Sequence, residues 1–127
     1  MPHIIIEYTK NLVEEGDIPA LLQKINDALL EHPTIIPIGG LRTRAIRLDE
    51  YVVADGVQDD AFVHATMKLG GGRTEEQLQL VGDAAFNTIV EHFQAIFDKR
   101  SLALSLEMQI LDRPTYKKNN IHLRYKK

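Results

Sequence analysis

The chain has 127 residues, enough for one compact domain and too few for two ordinary ones. Its 44% hydrophobic and 26% charged residues, with 8 Gly and 5 Pro, are the composition of a folded domain with a real core, and the absence of cysteine excludes disulfides, zinc-thiolate sites, iron-sulfur clusters and thiol nucleophiles. A net charge of -3, with no long single-sign block in the body of the chain, leaves no nucleic-acid footprint, and nothing approaches a signal peptide or a membrane span, so a cytoplasmic protein is expected.

His3 to Tyr8 alternates around Ile4, Ile6 and Tyr8 as a strand that begins almost at the first residue. Asp17 stands where a helix N-cap belongs, Pro19 fits a first turn, and Ile18, Leu21, Leu22, Ile25, Ala28 and Leu29 follow at helical spacing to an end near His32-Pro33. Leu41 to Leu48 reads as a second strand, with Tyr51 to Val53 as a short extension. The order then recurs. Ala61 to Leu69 alternates, Gly70-Gly71-Gly72-Arg73 breaks the pattern, and Thr74 with Gln77 makes a capping box at the head of a long helix. Leu78, Val81, Ala85, Ile89, Phe93 and Ile96 form its core stripe, and Leu102 to Ile110 alternates as a fourth strand.

This pattern predicts an α+β domain of two tandem βαβ units, about 2–55 and 61–112, followed by a tail at 113–127. Parallel crossovers need connections of this length, so a four-stranded mixed sheet with two helices on one face is expected. The other face would carry Ala103, Ser105, Glu107, Gln109, His64 and Thr66, small or polar residues suited to solvent or to other subunits. The tail holds six Lys or Arg residues with Tyr116 and Tyr125, and is read as a closure over a sheet edge or a neighbour.

The histidines at 3, 32, 64, 92 and 122 share no ligand spacing, so no metal is expected; His64 is the one to watch. No nucleophile elbow, P-loop or dinucleotide fingerprint occurs. A glycine-rich loop at a helix N-terminus, holding Arg73, and the Arg42-Thr43-Arg44 pair suit an anionic ligand, although composition alone favours a flexible turn with surface charges. Pro2 is the other candidate. Removal of an initiator methionine before a small residue would leave a secondary amine whose proton is disfavoured by burial and nearby arginines, which would suit it to act as a base near neutral pH, although a Met-Pro start is common and taken alone favours no catalytic role.

Met1-Pro2, Gly39-Gly40-Leu41-Arg42-Thr43-Arg44, Ala54-Asp55-Gly56, Phe62-Val63-His64, Gly70-Gly71-Gly72-Arg73 and Asn119-Asn120-Ile121-His122 together resemble the 5-carboxymethyl-2-hydroxymuconate isomerase family of the tautomerase superfamily, over the whole length of the chain. The resemblance implies a tautomerase-like homotrimer that needs no metal or organic cofactor. It further implies a vinylogous tautomerisation of a tricarboxylate dienol to an α,β-unsaturated 2-keto acid in homoprotocatechuate degradation. Pro2 would be the catalytic base, Arg42 and Arg73, with Arg44 as a lesser candidate, would bind the small polycarboxylate substrate, and Ile38, Phe62 and His64 would shape the pocket. Two alternatives stay open: a related hydratase, dehalogenase or decarboxylase acting on an unsaturated acid, and a trimeric anion-binding module without activity. No nucleic acid or membrane partner is expected.

Overall fold

The computed structural model describes residues 1–126. Its elements are β1 (His3–Thr9), α1 (Ile18–Leu29), β2 (Arg42–Leu48), β3 (Ala61–Gly70), α2 (Glu75–Phe97) and β4 (Leu102–Leu111), with 3-10 turns at Lys10–Leu12, Ile38–Gly40 and Ile121–Tyr125. The sheet order is β2-β1-β3-β4. β1 runs parallel to β2, β3 parallel to β4, and the central β1 and β3 are antiparallel. The expected mixed sheet with its two helices is therefore the observed one.

Alternation sorts the strand residues. Ile4 and Ile6 of β1, with Val63, Ala65, Met67 and Leu69 of β3, are fully buried against Leu21, Ile25 and Leu29 of α1 and Val81, Ala85, Ile89 and Phe93 of α2. Thr43 of β2 donates to the Asn26 side chain of α1, fixing the edge strand to its own helix. At the head of α2 both halves of the capping box form: Gln77 N–H donates to Thr74 Oγ1 at 3.1 Å and Thr74 N–H to Gln77 Oε1 at 2.9 Å.

Three expectations are corrected. Asp17 does precede α1, but at φ 42 and ψ 60 it lies in the left-handed region, and its side chain accepts no capping bond because a cap needs extended backbone there. The helix ends at Leu29, short of His32-Pro33, and the chain leaves it through turns closed by His32 N–H to Leu29 O and Ile36 N–H to His32 O. Tyr51 to Val53 is not strand. Tyr51 instead meets the Phe62 ring edge-on, with centroids 6.4 Å apart.

The register decides which side chains share the open face. His3 lies opposite Arg42 on β2 and Lys68 on β3, Ile5 opposite Arg44 and Thr66, and Glu7 opposite Ile46 and His64. No helix of the described residues covers this side.

Candidate active site

The amino terminus enters the fold at the end of the sheet where β1 and β2 start and β3 and β4 finish. Pro2 is buried and its carbonyl accepts from the Arg42 backbone N–H at 3.0 Å, which extends the β1–β2 ladder by one rung beyond His3. The Ile38–Gly40 turn brings the chain against this terminus: a Cβ on Gly40 would lie 3.5 Å from Pro2 Cδ and 3.6 Å from Met1 Cα. Met1 also borders a cavity of about 440 Å³, whose wall includes Gly70, Leu111, Asp112, Arg113 and Lys117.

Cations converge here. Arg42 Nη1 donates to Gly39 O at 3.0 Å and Leu41 O at 3.1 Å, which uses both hydrogens of that nitrogen and, among the described residues, leaves its Nε–Nη2 edge without a hydrogen-bond partner. Arg73 donates from Nε and Nη2 to Ile35 O, at 3.0 and 2.8 Å, and from Nη1 to Gly70 O at 3.2 Å. Two of its five N–H groups remain, one on each terminal nitrogen. Arg73 thus clasps the loop after β3 to the loop before β2, and two of its donors stay unused among the described residues. The Met1 amine is held below its ordinary value of 8.0, first by burial and then by the positive charges of Lys117, Arg73 and Arg42.

His3, the first residue of β1, shares the open face with these groups. Arg44 Nη1 lies 3.0 Å from His3 Nδ1, and a neutral ring accepts from that guanidinium. Burial, and then Arg44, the amino terminus, Arg42 and Lys68, push the imidazole below its ordinary 6.5. The unfolded chain therefore binds this proton more readily than the folded one, so His3 costs the fold stability as pH falls from 6.5 toward the folded value and costs nothing above it. Arg44→Gln should move the His3 midpoint upward when the ring is followed by NMR. A midpoint that stays put would remove Arg44 as a cause.

A sequence profile of the family described as 5-carboxymethyl-2-hydroxymuconate isomerase matches residues 2–125. The chain belongs to that family. A curated relative from Escherichia coli, 5-carboxymethyl-2-hydroxymuconate Delta-isomerase, is 42% identical over 128 residues, spanning 99% of this chain and 100% of that protein. The crystal structure of a 5-carboxymethyl-2-hydroxymuconate isomerase from Deinococcus radiodurans R1 superposes with a TM-score of 0.94 at 50% identity, over 99% of this chain and 95% of that one. At 14% identity the likeness to a fused 4-OT symmetric trimer, TM-score 0.66 over 92% and 93% of the two chains, shows a shared fold.

Within this isomerase-family chain, Pro2, Arg42, Arg73 and Arg44 gather at one end of the sheet. Ile38 sits in the turn before Arg42, 43% exposed, in a groove shared with His122 and Tyr125. Phe62 and His64 do not join them within the chain. His64 is four residues from Lys68 along β3, about 13 Å at strand spacing, and Phe62 is two further. His64 bonds instead across to β4, with Nδ1 2.6 Å from Ser105 Oγ and Nε2 2.9 Å from Glu107 Oε1. Among the described residues no group of three His, Asp or Glu side chains is placed to hold a metal ion.

The sequence reading missed His3, Lys68 and Lys117. A signal for the first two existed: His3 has the parity of Ile5 and Glu7 on β1, and Lys68 that of His64 and Thr66 on β3, so both belong to the open face. Lys117 had none, because nothing local places an irregular tail.

Proposed function

We propose that this chain is a 5-carboxymethyl-2-hydroxymuconate isomerase that moves a proton from the 2-hydroxyl of the dienol to carbon, giving an α,β-unsaturated 2-keto acid. The observation that carries the reading is the buried Pro2 next to Met1, whose amine is held below its ordinary value by burial and by the charges of Lys117, Arg73 and Arg42, with Lys117 in the wall of the cavity that Met1 borders. With Met1 cleaved, the Pro2 nitrogen becomes a secondary amine in the same field and more enclosed than Met1, so its neutral form is favoured and it acts as a base.

The steps balance without an oxidant or a cofactor. Carboxylates dock on the free Nε–Nη2 edge of Arg42 and the remaining terminal N–H pair of Arg73. Pro2 nitrogen takes the hydroxyl proton, the dienolate charge spreads toward the 2-oxo group where the guanidinium donors oppose it, and the same proton returns to carbon as the C=C bond shifts. Ile38, Phe62 and His64 are read as pocket-shaping residues, the last two from a neighbouring protomer.

A homotrimer fits the open sheet face, where Ile46 is 46% exposed beside Ile5, Phe62 and small polar residues. A sheet face that exposes Ile46 and carries Ile5 and Phe62 among its polar residues, with no helix of the described residues over it, calls for a partner surface. Sedimentation at micromolar concentration should give three times the chain mass; a monomer mass would refute it. We read the chain as one cytoplasmic domain built from the halves 2–55 and 61–112. No helix of the described residues is long and apolar enough to cross a membrane.

One observation favours a different chemistry. Asp112 is the single acidic residue lining the terminal cavity, and adding water to an unsaturated acid would call on such a carboxylate. An ultraviolet assay with the dienol in excess EDTA separates the readings. Conversion to the keto acid, unaffected by the chelator, supports a cofactor-free isomerase; hydrated products support a relative's reaction; silence with a free Pro2 supports an anion-binding module.

A further inference from the structure

The C-terminal segment returns to the site from the far side of the sheet. After β4 ends at Leu111, residues 112–118 run exposed and irregular. The chain is then pinned: Asn119 Nδ2 donates to Gly39 O at 2.9 Å, and Asn119 Oδ1 accepts from Ile121 N–H at 2.8 Å. His122 lies so close over Gly39 that a Cβ there would come within 2.9 Å of His122 Cα, so the docking needs glycine at that position. Held at Leu111 and at Asn119, the segment between them forms one wall of the cavity that Met1 borders, with Arg113 and Lys117 in that wall.

The pinning point is also an anchor of Arg42. Gly39 O accepts from Asn119 Nδ2 and from Arg42 Nη1, filling both lone pairs of one oxygen. The plane of that peptide therefore couples the tail to the Arg42 guanidinium.

We propose that the tail completes the site: Lys117 binds the third carboxylate of a tricarboxylate substrate, and Asn119 is a positioning residue that orients Arg42 through the Gly39 carbonyl. This rests on the isomerase reading above. Arg42 and Arg73 each present one donor pair, enough for two carboxylates, and a third needs a further cation. Lys117 is placed for it. It lines the same cavity as Met1, and its charge is among those that hold the Met1 amine below its ordinary value. A lysine ammonium on an otherwise exposed strap is a point charge that accommodates a flexible carboxymethyl arm without a fixed fork.

The test compares wild type, Lys117→Gln, Lys117→Arg and Asn119→Ala on the tricarboxylate dienol and on the dicarboxylate dienol lacking the carboxymethyl arm. Lys117→Gln should raise KM for the tricarboxylate at least fivefold more than for the dicarboxylate, with kcat on the tricarboxylate within about threefold, and Lys117→Arg should restore most of the difference. An equal effect on both substrates, or none, overturns the assignment of Lys117. Asn119→Ala should lower kcat/KM for both substrates, and its loss should not add to that of Arg42→Ala in the double variant. Additive losses overturn the link through Gly39.

If wild type converts neither dienol, the isomerase reading falls on its own. The tail is then judged by calorimetric binding of citrate against glutarate. Lys117→Gln losing at least fivefold on citrate alone upholds it, and equal binding by the two proteins overturns it.

Discussion

A preparation that keeps Met1 should isomerise the dienol at least about a hundredfold more slowly than one from which Met1 has been cleaved, since a positioned acid–base group contributes roughly 10²–10⁴ in rate. Acylated by methionine, the Pro2 nitrogen is an amide whose lone pair is delocalised into the carbonyl, and it neither takes nor returns a proton. The retained residue also occupies space at the mouth of the pocket, where Met1 lines the cavity. Intact mass identifies the two forms, and the ultraviolet assay compares them. Pro2→Ala, once processed, leaves a primary amine of different basicity and should retain partial activity. Equal rates with and without Met1 would take Pro2 out of the mechanism. The side chain to test next would then be His3, one residue along on the open face, since His64 is spent on Ser105 and Glu107 further down the sheet.

Arg73→Ala should act twice. Loss of a charge-assisted contact to a substrate carboxylate costs roughly 1.5–3 kcal/mol, which lowers kcat/KM by at least about tenfold. The substitution also leaves the Ile35 carbonyl, which accepts two bonds from Arg73 in a buried stretch, without those partners, a further penalty of about 1–3 kcal/mol read as a lower melting temperature. Arg73→Lys keeps the charge but not the fork that spans Ile35 and Gly70, so it should recover part of the binding and little of the stability. Unchanged kinetics on a charged substrate would release Arg73 from the binding role and leave it as the clasp between two loops.

Local pattern was legible wherever one face of an element is buried. Ile4 and Ile6, the even turn of Val81, Ala85 and Ile89, and the Thr74–Gln77 cap each follow from spacing that a buried face or a helix terminus demands. What spacing does not encode is the backbone conformation just outside an element. Asp17 has the right residue type for a cap and the wrong φ, and Tyr51 to Val53 has strand composition but turns aside to pack on Phe62. The site divides the same way. Pro2, Arg42, Arg44 and Arg73 stand out by motif, and Asn119 lies in one, but the path that brings the tail with Lys117 and Asn119 back to this end of the sheet is set by packing on Gly39, about 80 residues earlier in the chain.

The enclosure of the amino terminus sets an order of events in time. Pro2 is buried, and the cavity that Met1 borders is walled by Gly70, Gly71, residues 111–115 and Lys117. During synthesis at about 5–20 residues per second, Lys117 is added roughly 6 to 23 s after Pro2. An aminopeptidase therefore has the nascent chain to itself for that interval and meets a walled-in target afterwards. Chains that fold before they are trimmed keep their methionine, so slowing translation late in the message should raise the trimmed fraction, and overproduction that outruns the peptidase should lower it.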